Sequence, residues 1–156
     1  MKELIKNLYV GDDSDYLKVK DNESWWIIRC AKEGPGGHRD TLGYQERSAP
    51  KGDNYLFVER PRKLILNLVD SPNEAMIPSS IVDKAVSYAR QQLSENRRLL
   101  LCCNKAESRA PSLALLILHD LGKLPASRAM NLFRKMYPLY APSDGMRNFV
   151  RKRIHA

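Results

Sequence analysis

The stretch Leu99-Leu100-Leu101-Cys102-Cys103-Asn104-Lys105-Ala106-Glu107-Ser108-Arg109 runs straight on into Ala110-Pro111-Ser112-Leu113-Ala114-Leu115-Leu116-Ile117-Leu118. The first four residues form an apolar run too short for a helix, and they suit a central strand covered on both faces. The apolar run after Pro111 is long enough for a buried helix. A thiol therefore stands at the carboxyl end of a strand, followed by a short loop, an arginine and a helix start. The backbone N–H groups of such a loop and the positive end of the helix converge on one point, which suits an anion. The same field favours a thiolate, making Cys103 the candidate nucleophile. The planar fork of Arg109 can grip two oxygens of a phosphate, which a lysine cannot match. The adjacent Cys102 reads as a buried strand residue, because neighbours on a strand face opposite sides.

Working outward, the chain alternates strands and helices without an internal repeat. Strands are expected over Leu4–Val10, Trp25–Cys30, Tyr55–Val58, Leu64–Val69 and Leu99–Cys102. Lys32–Asn54, rich in Gly, Pro and charge, reads as a long surface loop, and Glu59-Arg60-Pro61-Arg62 as a turn. A helix is expected over Pro78–Leu93, with Ser80 and Asp83 as a capping box and an apolar stripe from Ile81, Val82, Ala85, Val86 and Ala89. Further helices are expected from about Pro111 to Leu121, Ala126 to Tyr137 and Asp144 to Ile154. The fold class is α/β: a single domain, residues 1–156, with a central mixed sheet flanked by helices. A candidate nucleophile at a strand's carboxyl end is the usual place for a site in such a sheet.

These residues resemble the dual-specificity branch of the cysteine-dependent protein phosphatases, part of the protein tyrosine phosphatase superfamily, whose loop reads H-C-x-x-G-x-x-R-[ST]. Asn7-Leu8-Tyr9-Val10-Gly11 is similar to that family's opening strand. Leu64-Ile65-Leu66-Asn67-Leu68-Val69-Asp70 is similar to its strand leading into an acid loop, and Ile77-Pro78 with Asp83 to the helix that follows. The resemblance implies a cysteine-dependent phosphomonoester hydrolase that passes through a cysteinyl-phosphate. Its substrate would be phosphoprotein, with phosphotyrosine first and phosphoserine or phosphothreonine second. Cys103 would be the nucleophile, Arg109 the phosphate clamp and Asp70, 33 residues before Cys103, the general acid, with Glu74 in reserve. Asn104, Lys105, Ala106, Glu107 and Ser108 would form the phosphate-binding loop, and Ser71-Pro72-Asn73-Glu74 a mobile turn able to close over substrate. Three positions depart from the pattern: Cys102 stands for histidine, Ala106 for glycine and Ala110 for serine or threonine. The glycine position implies a left-handed backbone, which costs an alanine on the order of 1 kcal/mol. The Ser108 hydroxyl is expected to make up in part for the one missing at Ala110. The alternative function is a weakened phosphatase-fold module that binds the phosphates of protein or nucleic acid.

A second loop, Gly34-Pro35-Gly36-Gly37-His38-Arg39-Asp40, is not a dinucleotide fingerprint, since its glycine spacing fails and no helix pattern opens after it. It is expected to wall the substrate pocket, with His38 and Arg39 touching phosphate or leaving group. No cofactor is implied, and no Cys or His pair has the spacing of a metal site.

Composition bounds the rest. With 43% hydrophobic and 28% charged residues, the chain belongs with globular rather than disordered proteins. Three cysteines, two of them adjacent, make no extracellular disulfide framework. The start shows no apolar signal core, so a cytoplasmic home and no membrane contact are expected. Net charge is +8, and Lys123–Ala156 carries eight basic residues against Asp144, or +7. A basic segment attracts phosphorylated, acidic or nucleic-acid partners. It reads equally as a solvated helix face, and that reading is preferred because no aromatic interleaving or nucleic-acid module accompanies it.

Overall fold

The computed structural model describes residues 1–156. Six strands form one sheet: β1 (Lys2–Ile5), β2 (Leu8–Gly11), β3 (Trp25–Arg29), β4 (Phe57–Arg60), β5 (Lys63–Leu66) and β6 (Arg98–Cys102). Their order across the sheet is β1-β2-β6-β3-β5-β4. The four inner strands β2, β6, β3 and β5 run parallel, and each edge is closed by an antiparallel hairpin partner. The sheet is mixed, as the sequence implies. β6 lies between two parallel neighbours with Leu99, Leu100 and Leu101 fully buried, which is why it reads as a continuous apolar run.

The helices are α1 (Asp13–Val19), α2 (His38–Leu42), α3 (Ser79–Ser94), α4 (Arg109–Asp120), α5 (Ala129–Met136) and α6 (Asp144–Ile154). The main core joins α3, α4, α5 and α6 to one face of the sheet. α4 is its centre, with every residue from Ala110 to Leu118 buried. A smaller cluster of Tyr16, Val19, Trp25, Ile27, Leu100 and Cys102 covers the other face under α1. Cys102 therefore faces away from Cys103, which packs in the main core, as strand alternation requires. No helix is long and apolar enough to cross a membrane.

Several local expectations are corrected. The expected first strand is a hairpin, β1 and β2, broken at Asn7, whose φ of 73° suits an asparagine in the left-handed region. Glu59 and Arg60 belong to β4, so the turn shrinks to Pro61-Arg62. The glycine-rich loop does open into a helix, the short α2, too brief to leave a periodic pattern. α3 starts on Pro78 without a side-chain cap; Ser80 and Asp83 both lie inside the helix, so they form no capping box. α4 begins at Arg109, two residues ahead of Pro111, which sits in the first turn where no backbone N–H is needed. Three of the eight basic residues of the carboxyl-terminal segment are matched by acids: Arg147 pairs with Asp144, Lys152 with Glu74 and Arg153 with Asp83. Counting charge within the segment misses two of these partners, which come from earlier in the chain.

Candidate active site

Cys103 follows β6 directly and is 2% exposed. Its N–H donates to Gly11 O at the end of β2 (3.3 Å), so the thiol is fixed by the sheet before the loop departs. Ala106 adopts φ 59°, the left-handed backbone expected where the resembled family carries glycine. Such a reversal turns successive backbone N–H groups toward one concavity. None of the backbone N–H groups from Asn104 to Arg109 donates within the protein. The outer side of the loop is anchored instead through its carbonyls: Tyr137 Oη donates to Ala106 O (2.7 Å) and Ala141 N–H to Glu107 O (2.8 Å). Burial pushes the Tyr137 phenol up to about 12, so it remains a donor.

Arg109 opens α4 and reaches back over the loop. Its Nη1 donates to Leu68 O (2.9 Å) and its Nη2 to Asn104 Oδ1 (2.6 Å). The second N–H of α4, that of Ala110, donates to Cys103 Sγ (3.4 Å). The sulfur is thus held by a backbone N–H of the amino-terminal turn of α4. Burial pushes the thiol of Cys102 up to about 12 and that of Cys30 well above its ordinary value. Both therefore stay protonated.

Asp70 stands at the rim. It accepts from Ser108 Oγ (2.7 Å), and that hydroxyl in turn accepts from Ser143 N–H (2.9 Å). Ser143 Oγ donates to Ser71 O (3.0 Å), so the turn after Asp70 is tied to the start of α6. A side chain on Gly145 would meet Ser71 O at 2.2 Å, which shows how tightly the two segments pack. The expected mobile turn is thus a braced one, and Ser108 serves Asp70 rather than the thiol. Asp70, Cys103, Asn104, Lys105, Glu107, Ser108 and Arg109, with Ala141, line one cavity of about 250 Å³. Ala106 backs the loop, 7% exposed.

The remaining candidates fall elsewhere. Glu74 belongs to a 3-10 turn (Glu74–Met76), pairs with Lys152 and does not line the cavity. His38 is fully buried, with Nδ1 bonded to Tyr44 Oη (2.9 Å) and Nε2 to Asn54 O (2.7 Å). Arg39 binds Glu33 and the carbonyls of Tyr44, Glu46 and Arg47. Neither residue lines the cavity at Cys103. The residues that sequence reasoning missed are Leu68, Tyr137, Ala141 and Ser143. They act through backbone groups or across distant elements, and nothing local in the sequence marks them.

No family model matches the chain, and no curated protein matches it. Solved structures do. The chain is similar to DUSP15 (TM-score 0.70, 13% identity, covering 100% of this chain and 88% of that one). It is similar to human DUSP28 (0.67, 12%, 98% and 91%). It is also similar to the human tyrosine phosphatase-like serine/threonine/tyrosine-interacting protein (0.67, 14%, 98% and 94%). The fold is that of the dual-specificity protein phosphatases, shared over the length of the chain.

Proposed function

We propose that the chain is a cysteine-dependent phosphomonoester hydrolase acting on phosphoprotein, with phosphotyrosine as the first substrate and phosphoserine or phosphothreonine as the second. One observation carries the reading. Six consecutive loop N–H groups are free of internal partners beside a thiol that receives a helix amino-terminal N–H and an arginine held over the same cavity. Such a cradle matches the oxygens of a transferring phosphoryl group, whose charge must be met by prepositioned donors.

In the first step the Cys103 thiolate attacks phosphorus in line; the S–P bond forms as the bond to the leaving oxygen breaks. Arg109 and the loop amides hold the three equatorial oxygens. Asp70 supplies the proton to the leaving oxygen from Oδ2, because Oδ1 is occupied by the Ser108 hydroxyl. In the second step Asp70, now a carboxylate, takes a proton from water as the water oxygen attacks phosphorus. The S–P bond then breaks and the thiolate returns. Ala110 offers only its N–H to that leaving thiolate, so the second step is expected to be the slower one.

Hydrolysis of a small aryl phosphate by the natural chain and by Cys103→Ser tests the reading: turnover is expected in the first and background in the second. Asp70→Asn is expected to lower turnover of an alkyl phosphate about 100-fold or more. Its effect on an aryl phosphate with a good leaving group is expected to be much smaller. Natural chain and Cys103→Ser alike at background, with inorganic phosphate still bound, would overturn the hydrolase and leave a phosphate-binding module.

A further inference from the structure

The cradle rests on a second polar layer in which a single side chain faces both ways. Asn104 Oδ1 accepts from Arg109 Nη2 (2.6 Å), while its Nδ2 donates to Asp13 Oδ1 (3.2 Å) and to Glu33 O (3.2 Å). Chemistry fixes this orientation: guanidinium only donates, while carboxylate and carbonyl only accept. Asp13, the first residue of α1, is ion-paired with Arg29 at the end of β3. Arg29 is fully buried, gives its Nε–H to Pro35 O (3.0 Å) and lies 4.8 Å from the centre of the Tyr16 ring. Its Nη1 has no oxygen or nitrogen partner, so the Asp13 carboxylate is the one counter-charge it has.

The glycine-rich loop is built around this layer. Gly34, at φ 92°, leaves room that a side chain would fill, since its Cβ would sit 2.6 Å from Asn104 Nδ2 and 3.2 Å from Arg29 Nη2. A Cβ on Gly36 would sit 2.0 Å from the Tyr16 hydroxyl. The loop that makes no direct contact with the cavity thus supplies two carbonyls and the close approach that the layer requires.

We infer that Asn104 is a positioning residue for the anion-binding arginine, oriented by the half-exposed Asp13 carboxylate, itself paired with buried Arg29, and by the Gly34 turn, so that a polar chain from the sheet interior sets the aim of Arg109. Arginine offers five N–H donors, and Leu68 O and Asn104 Oδ1 occupy one on each terminal nitrogen. The other hydrogens of those nitrogens are left in a fixed plane for a bidentate grip on phosphate. A long arginine without such supports would sample many rotamers and lose that advantage. The Asn104 side chain touches Arg109 rather than the reacting atoms, so the effect of truncating it should pass through the arginine. The inference rests on the reading of this cavity as an anion site.

The test is a double-substitution cycle on phosphate binding, measured by calorimetry with inorganic phosphate and paired with aryl phosphate kinetics. Asn104→Ala is expected to weaken phosphate about tenfold and to lower kcat/KM by about 10- to 100-fold, the scale of a misplaced contact group. In an Arg109→Lys background the same change is expected to cost almost nothing further, because there is no guanidinium left to aim. Asp13→Asn, which keeps the shape and removes the charge, is expected to act in the same direction and more weakly. Additive losses from Asn104→Ala and Arg109→Lys would overturn the positioning role. So would unchanged phosphate affinity in Asn104→Ala while Arg109→Lys weakens it, an outcome that leaves the anion site itself standing. Unchanged affinity in Arg109→Lys would overturn the anion site and the inference together.

Discussion

Two loops leave the carboxyl ends of adjacent parallel strands and end in a helix with an arginine in its first turn, yet they differ in kind. After β6 the chain runs through Cys103–Ser108 to Arg109 on α4; after β3 it runs through Cys30–Gly37 to His38 and Arg39 on α2. In the first loop the backbone N–H groups remain free, and the arginine lines a cavity with two of its N–H groups engaged. In the second, His38 has both ring nitrogens bonded, and Arg39 binds one carboxylate, three carbonyls and the Tyr44 ring at 4.7 Å. Composition at a strand end therefore does not make a site. What makes one is a set of donors that the fold holds in place and does not satisfy. The second loop satisfies itself and in doing so becomes the floor under the first.

The sharpest way to break this contrast is to remove each arginine in turn. Arg109→Ala is expected to reduce kcat by about 10²- to 10³-fold, the loss seen when a preorganised charge-stabilising donor is deleted. Phosphate affinity should fall with it while the unfolding midpoint barely moves. Arg39→Ala is expected to do the opposite: KM and kcat of an aryl phosphate unchanged, thermal unfolding earlier by a few degrees. A raised KM in Arg39→Ala would return the second loop to the pocket wall and erase the distinction.

A smaller effect separates the two loops by backbone. The first loop takes its left-handed turn with an alanine, Ala106, whereas the second uses glycine at Gly34 and Gly36. Ala106→Gly is expected to stabilise the chain by about 1 kcal/mol or less, strain relief being offset by the freer unfolded glycine. Denaturant unfolding checks this, and a loss of stability would mean that the Ala106 methyl contributes more by packing than it costs in strain.

The smallest expected effect is a pH dependence that belongs to the second loop alone. Burial holds the His38 imidazole below its ordinary value of 6.5, so the folded chain resists a proton that the unfolded chain accepts. The unfolded state then binds more protons as pH falls through about 6.5, and stability contributed by neutral His38 is present above that value and lost below it. Unfolding measured at pH 7.5 and 5.5 should show this decline, and His38→Gln should flatten it.

Much of this was legible locally. The parallel strand β6, the buried helix α4, the Cys103-to-Arg109 spacing and the left-handed position of Ala106 follow from apolar runs, residue types and one resemblance, because they are properties of a continuous stretch of chain. Asp70 was legible only through that resemblance; its distance along the sequence says nothing physical about reach. The failures share a cause. The helix after the glycine-rich loop is illegible because five residues leave no period, and the contacts of His38 and Arg39 are illegible because their partners, Tyr44, Asn54 and Glu33, are not fixed by spacing. The sequence alone determined which groups are available to do chemistry at the end of β6. Tertiary structure decided which of them are free to do it, because whether a donor is satisfied depends on acceptors such as Leu68 O and Asn104 Oδ1 that only folding brings within 3 Å.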